Sequence, residues 1–181
     1  MMDCRAELPE PIILTYGYAG RDPEELASIV AEYDAVILDC RLKPWTKQPG
    51  WSLPELKARF VDQYHWVRAL GNTNFEKGGT IKLLDAKKGL RRVLDVLAEG
   101  AVPLLLCAER SPWQCHRRVI AESVAEKVGC RVLHLPLLPS RSAGRPAQLA
   151  LDFGLPAGTV HGHIRASRHA KKSKRSQRRR G

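Results

Sequence analysis

Short apolar runs alternate along the chain with segments whose apolar side chains recur every three or four residues, the two periods that separate strands from helices. Ile12 to Thr15, Ala35 to Leu38, Tyr64 to Leu70, Val102 to Leu106 and Arg131 to Leu135 read as strands. The run from Val102 is apolar and unbroken, as suits a strand covered on both faces of a parallel sheet. Helical stripes lie between the strands: Leu26, Ile29, Val30 and Tyr33; Leu56 and Phe60; Leu90, Val93, Leu94 and Leu97; Ile120, Val124 and Val128. Local punctuation agrees. Asp22, Pro23 and Glu25 form a cap, a first-turn proline and a box partner; Ser52 and Glu55 repeat the box; Gly100 closes the third helix. Ser111, Pro112 and Gln114 predict a sharp helix start after the fourth strand. The segment from Gly71 to Gly79 is rich in turn residues and fits no element. Strands alternating with amphipathic helices predict an α/β fold: three layers, a mostly parallel five-stranded sheet and helices on both faces.

Composition changes this picture at the C-terminal end. Pro136, Pro139, Ser140, Ser142, Gly144 and Pro146 end the regular pattern, which predicts an α/β domain over 1–136 and a tail over 137–181. The net charge is +11, and nearly all of it is in the tail. From 137 on, 11 Lys or Arg stand against Asp152 alone, whereas the first 136 residues hold 19 basic and 18 acidic side chains. The run through Lys171, Lys172, Lys174, Arg175, Arg178, Arg179 and Arg180 has nothing to bury, so it is expected to be disordered and to bind DNA or RNA through phosphates without reading sequence. No stretch approaches the length of apolar chain that spans a bilayer, and no signal-peptide core is evident, so a cytoplasmic protein that does not associate with membranes is expected. Five cysteines in such a chain read as thiols rather than a disulfide framework.

The candidate chemistry gathers where strands end. Asp39-Cys40-Arg41 follows the second strand and Cys107-Ala108-Glu109 the fourth, with Cys115, His116 and Arg117 on the first turns of the next helix. In open α/β sheets, ligands bind in the crevice beyond the strands' C-terminal ends. If the two strands are neighbours, one crevice holds Asp39, Arg41, Cys107, Glu109, Cys115, His116 and Arg117, the expected catalytic set. Three chemistries are open. A cysteine is the nucleophile and arginines hold an anion; or Cys107, Cys115 and His116 hold zinc, for which the sequence offers no fourth ligand and which is the lesser reading beside no cofactor at all; or Glu109 or Asp39 activates water while the thiols pack, which suits hydrolysis of a nucleotide or glycosidic bond. Tyr18, Arg21 and Trp113 are the expected substrate contacts. Trp45, Trp51 and Trp113 lie near the expected mouth, where a base can stack. His65 and His134 sit in strand patterns and read as structural.

Three stretches taken together resemble the bacterial domain-of-unknown-function family 488. They are Thr15-Tyr16-Gly17-Tyr18-Ala19-Gly20-Arg21; Leu38-Asp39-Cys40-Arg41 with Pro44 and Pro49-Gly50-Trp51-Ser52; and Leu106-Cys107-Ala108-Glu109 with Cys115-His116-Arg117. The resemblance covers about residues 12–135 and implies an α/β fold and a shared pocket but no known reaction. The chain departs from the family's pattern at Cys40, where an aliphatic residue is usual. In the tail, Gln148, Leu149, Leu151 and Phe153 resemble the peptide with which bacterial replication and repair proteins dock on the sliding clamp, implying that partner. The expectation is an enzyme acting on a nucleic acid or nucleotide-like anion and held on DNA or RNA by its tail. The alternative is a non-enzymatic nucleic-acid accessory or scaffold protein.

Overall fold

The computed structural model describes residues 10–76 and 79–136. Five parallel strands form one sheet: β1 (Ile12–Gly17), β2 (Ala35–Asp39), β3 (Tyr64–Trp66), β4 (Val102–Cys107) and β5 (Arg131–Leu135), in the order β3-β2-β4-β1-β5. Helices α1 (Pro23–Tyr33) and α2 (Leu53–Phe60) cover one face, and α3 (Ala86–Ala98) and α4 (His116–Val128) cover the other. The predicted three-layer α/β architecture is therefore observed.

Each helix begins as its local sequence dictates. The Asp22 carboxylate accepts from the Glu24 amide with Pro23 in the first turn, and Ser52 and Glu55 form the reciprocal box at the start of α2. The apolar stripes then divide by face. Leu26, Val30, Leu56 and Phe60 pack on Leu14, Tyr16, Ile37, Leu104 and Leu106. Leu90, Val93, Val96, Ile120 and Val124 pack on Ile13, Leu38, Leu105 and Cys107. Successive strand residues point to opposite faces, so the apolar run of β4 serves two cores at once.

Two boundaries differ from expectation. The third strand stops at Trp66 rather than Leu70, and Arg68–Leu70 makes a 3₁₀ turn. That turn seats Leu70 directly over Gly89 of α3, where any Cβ would overlap the leucine side chain. The second difference lies at the site. Ser111 makes no side-chain cap, and Pro112–Gln114 forms only a 3₁₀ turn. Cys115 then adopts an extended conformation (φ −131°, ψ 140°), and α4 starts at His116.

No helix among the described residues is long and apolar enough to cross a membrane. The clamp-like peptide at 148–153 and the basic run at 171–180 lie outside the described residues.

Candidate active site

The strand ends singled out in the sequence are neighbours: Asp39 of β2 is in register with Leu106 of β4, and the Cys40 amide donates to the Leu106 carbonyl at 3.0 Å. They do not, however, form one crevice. The pleat sends Asp39 toward α1 and α2, and Cys40 and Cys107 toward α3 and α4. The expected set is split into two clusters on opposite faces of the same edge.

Asp39 and Arg41 form the first cluster, with no exposure for Asp39 and 5% for Arg41. The Arg41 guanidinium donates to Asp39 at 2.6 and 2.9 Å and to the Trp51 carbonyl at 2.8 Å. Tyr64 donates its hydroxyl to the same carboxylate at 2.6 Å. Burial lowers the Arg41 pKa, but the hydrogen bonds and charge of Asp39 outweigh it, so the guanidinium stays charged. Burial first, then the charge of Asp39, pushes the Tyr64 phenol up. Tyr18 stacks on Trp51 at 4.8 Å and lies under the Arg41 guanidinium, while Arg21 donates to the Gly17 carbonyl and to Glu25. Each polar group of the Asp39–Arg41 pair is paired within the protein, the arrangement of a structural brace.

The second cluster is Cys107, Glu109, Cys115 and His116. One potential ligand atom from each lies within 4.8 Å of all the others. The Cys107 and Cys115 thiols donate to the same Glu109 oxygen at 2.8 and 3.0 Å, and His116 Nδ1 is 3.9 Å from both sulfurs. Adjacent Cys115 and His116 converge because the chain breaks between them: Cys115 is extended and His116 helical, so their side chains aim at one point. His116 Nε2 lies 3.0 Å from the Cys40 carbonyl, and its only polar partner there is an acceptor, so Nε2 carries the proton. Burial lowers the His116 pKa, but the hydrogen bonds with Cys107 and Cys115 outweigh it and the net direction is up; Nδ1 faces the sulfurs and holds a lone pair only in the neutral ring.

Electrostatics separate the thiols from the carboxylate. The Cys107 thiol is drawn down by its hydrogen bond with Cys115, yet the interaction with Cys40 and burial prevail and push it up to about 12. Burial pushes Cys115 up as well. Burial also raises Glu109, but the thiol hydrogen bonds outweigh that, and the net direction is down. Without a cation both thiols are protonated at neutral pH, which disfavours either as a free nucleophile. Glu109 is ionised and exposed.

Arg117 is turned into the protein, and its Nε has no hydrogen-bond partner among the described residues. Only 1% exposed, it donates to the Glu109 carbonyl at 2.6 Å and the Arg110 carbonyl at 3.2 Å, holding the loop after β4. Gly17 allows this: a Cβ there would overlap both the Glu109 carbonyl and the Arg117 guanidinium.

A cleft of about 360 Å³ opens beside Glu109, Cys115 and His116, with walls that include Asn72, Asn74, Phe75, Trp113 and Arg118. Phe75 is 51% exposed and Trp113 40%. Arg118 lies over the Trp113 ring and is paired with Glu122 at 2.8 Å. Trp113 thus stands where expected, whereas Tyr18 and Arg21 belong to the opposite face. Trp51 is fully buried, and Trp45 packs edge-on to Trp66. Asn72, Asn74 and Phe75 come from the turn-rich segment that sequence patterns leave unassigned. The Cys40 carbonyl, as a backbone atom, has no sequence signature at all.

The family model described as Domain of unknown function DUF488 matches residues 80–124. The match takes in α3, β4 and most of α4, and with them the whole second cluster. It supports the resemblance drawn from the motifs over this stretch. No curated protein and no solved structure matches the chain.

Proposed function

We propose that the protein is a hydrolase of a nucleotide-like anion, working in the cleft beside Glu109. The observation that carries this reading is an ionised carboxylate, hydrogen-bonded by two buried thiols, at the mouth of an open cleft walled by exposed aromatic rings. Glu109 takes a proton from a water as that water's oxygen attacks the substrate, and returns it to the group that leaves. Phe75 and Trp113 stack a base, and Arg118 faces the anion. Arg117 acts at one remove, by fixing the carbonyl at Glu109.

The test is turnover by the full chain of a panel of nucleotides and single-stranded oligonucleotides, with products separated by chromatography and mass. Activity lost in Glu109→Gln but retained in Cys130→Ser supports the reading. No product from any substrate, with binding retained, overturns it in favour of the accessory protein.

The basic run gives this enzyme its nucleic-acid association, and the clamp-like peptide adds a protein partner. Replacing Lys171, Lys172, Lys174, Arg175, Arg178, Arg179 and Arg180 by Gln in the full chain removes salt-sensitive binding to DNA and RNA. Unchanged binding overturns the role of the tail. Replacing Leu151 and Phe153 by Ala removes binding to a bacterial sliding clamp; equal binding by both forms overturns that partner.

A further inference from the structure

We infer that Cys107, Cys115 and His116 hold a zinc-class divalent ion, with Glu109 at the fourth, exchangeable position. The inference rests on the reading of this cluster as the working site and deepens it by naming its cofactor. Three observations converge on it. The donor set of two sulfurs, one imidazole and one carboxylate is one that a soft divalent ion takes in tetrahedral geometry. The Nε2 of His116 is 3.0 Å from the Cys40 carbonyl, as in imidazole ligands oriented by a second hydrogen bond, and this orientation aims Nδ1 at the sulfurs. The sulfur–nitrogen separations of 3.9 Å are close to the edge of about 3.6 Å that metal bonds of about 2.3 and 2.05 Å give in a tetrahedron.

The carboxylate differs from the other three donors. Cys107, Cys115 and His116 are buried, whereas Glu109 is exposed and lines the cleft. Its oxygen sits 2.8 and 3.0 Å from the sulfurs, shorter than a tetrahedral edge, so ion entry moves it outward, toward the cleft. Binding releases the two thiol protons, and with them the proton of Nδ1 where the imidazole is charged, to solvent, and the site becomes three fixed ligands facing an opening, the pattern of catalytic rather than structural zinc. A water that displaces Glu109 then lies beside the carboxylate that deprotonates it.

Cobalt(II) titration of the metal-depleted full chain tests the centre. One equivalent is expected to produce thiolate-to-cobalt charge-transfer absorption together with the strong visible bands of tetrahedral cobalt. Cys115→Ser and His116→Gln lose or strongly weaken both, Cys130→Ser keeps them, and Glu109→Gln keeps the charge-transfer absorption. Absorption without thiolate bands, or bands undiminished in Cys115→Ser, overturns the inference. A second measurement avoids variants that fail to fold: in the wild-type chain, zinc is expected to slow alkylation of Cys107 and Cys115 at least tenfold while leaving Cys130 unchanged, as mapped by peptide mass. Equal rates with and without zinc overturn it. Turnover without cobalt binding removes the metal and leaves the hydrolase; cobalt binding without turnover establishes the metal and removes the hydrolase.

Discussion

The two faces of the sheet's C-terminal edge each carry a cluster built on one carboxylate, and the two clusters are opposite in character. On the α1/α2 face, Asp39 and Arg41 are buried, and their charges are matched by each other, by Tyr64 and by the Trp51 carbonyl. On the α3/α4 face, two thiols share one oxygen of Glu109, an imidazole turns Nδ1 toward both sulfurs, and the carboxylate reaches an open cleft. A buried charge pair whose own donors and acceptors are all filled has the form of a brace, even though the neighbouring Tyr16 hydroxyl and Trp51 Nε1 are unpartnered among the described residues. A crowded set of donors beside a cavity is the place at which binding is proposed. Titratable residues at a strand end therefore do not identify a site until their partners are counted.

Exchanging the expected failures of the two clusters is the strongest way to break this comparison. Asp39→Ala leaves the Arg41 charge buried without its partner and is expected to cost about 3–5 kcal/mol in urea unfolding. Glu109→Gln is expected to leave the unfolding midpoint nearly unchanged while lowering turnover by about 10²–10⁴. If Asp39→Ala unfolds like the wild type and Glu109→Gln collapses the fold, the assignments are reversed.

Gly17→Ala sharpens the comparison, because Gly17 lies at the end of β1, against the loop that carries Glu109. Its Cβ forces the Glu109 carbonyl and Arg117 apart. A loss of about 1–3 kcal/mol is expected from the overpacking, with cobalt uptake weakened as the loop shifts. A variant that keeps both wild-type stability and wild-type cobalt affinity shows that the loop is not held there.

The smallest effect concerns the cleft wall. Burial raises the Glu122 pKa, but the hydrogen bond with His134 and the charge of Arg118 outweigh it, and the net direction is down. A carboxyl lowered in the folded state adds stability above its unfolded value of about 4.3, and that stability is lost as pH falls through the lower folded value. Glu122→Gln is expected to remove this acid-side slope from the unfolding curve, to change stability at neutral pH by under about 1 kcal/mol, and to raise KM modestly by loosening Arg118 over Trp113. An unaltered slope assigns the acid sensitivity to other carboxyls.

Much of the fold was legible because it is written in local periods. The strands follow apolar runs, and Asp22, Ser52 and Glu55 cap where such residues cap. The grouping of Cys107, Glu109, Cys115 and His116 was legible from their crowding where a strand gives way to a helix. What stayed hidden was set by long-range geometry. Asp39 and Cys40 are adjacent in sequence, but the pleat places them on opposite sides of a layer, and only the packing shows which side has the cavity. The Ser111-Pro112-Gln114 pattern matches a helix start, yet the chain turns once and straightens at Cys115, and that interruption brings two consecutive residues to one point. Glu109 was present in the sequence, but only its position relative to Cys107 and Cys115 makes it a fourth potential ligand. The Asn72–Phe75 wall carries no periodic signal, because its shape comes from side-chain to backbone bonds such as those that Asn72 Oδ1 accepts from the amides of Asn74 and Lys82.

The strand order also has a consequence for how the molecule is made. β1 and β2 leave the ribosome first, joined by α1, but they are not partners; β4 lies between them. Until the chain has been synthesised past Cys107, both strands carry an unpaired apolar edge toward a space one strand wide, the kind of exposure that invites association between nascent chains. The strand that fills this space also carries Cys107, so the cluster with Glu109, Cys115 and His116 requires that the two halves of the sheet be joined.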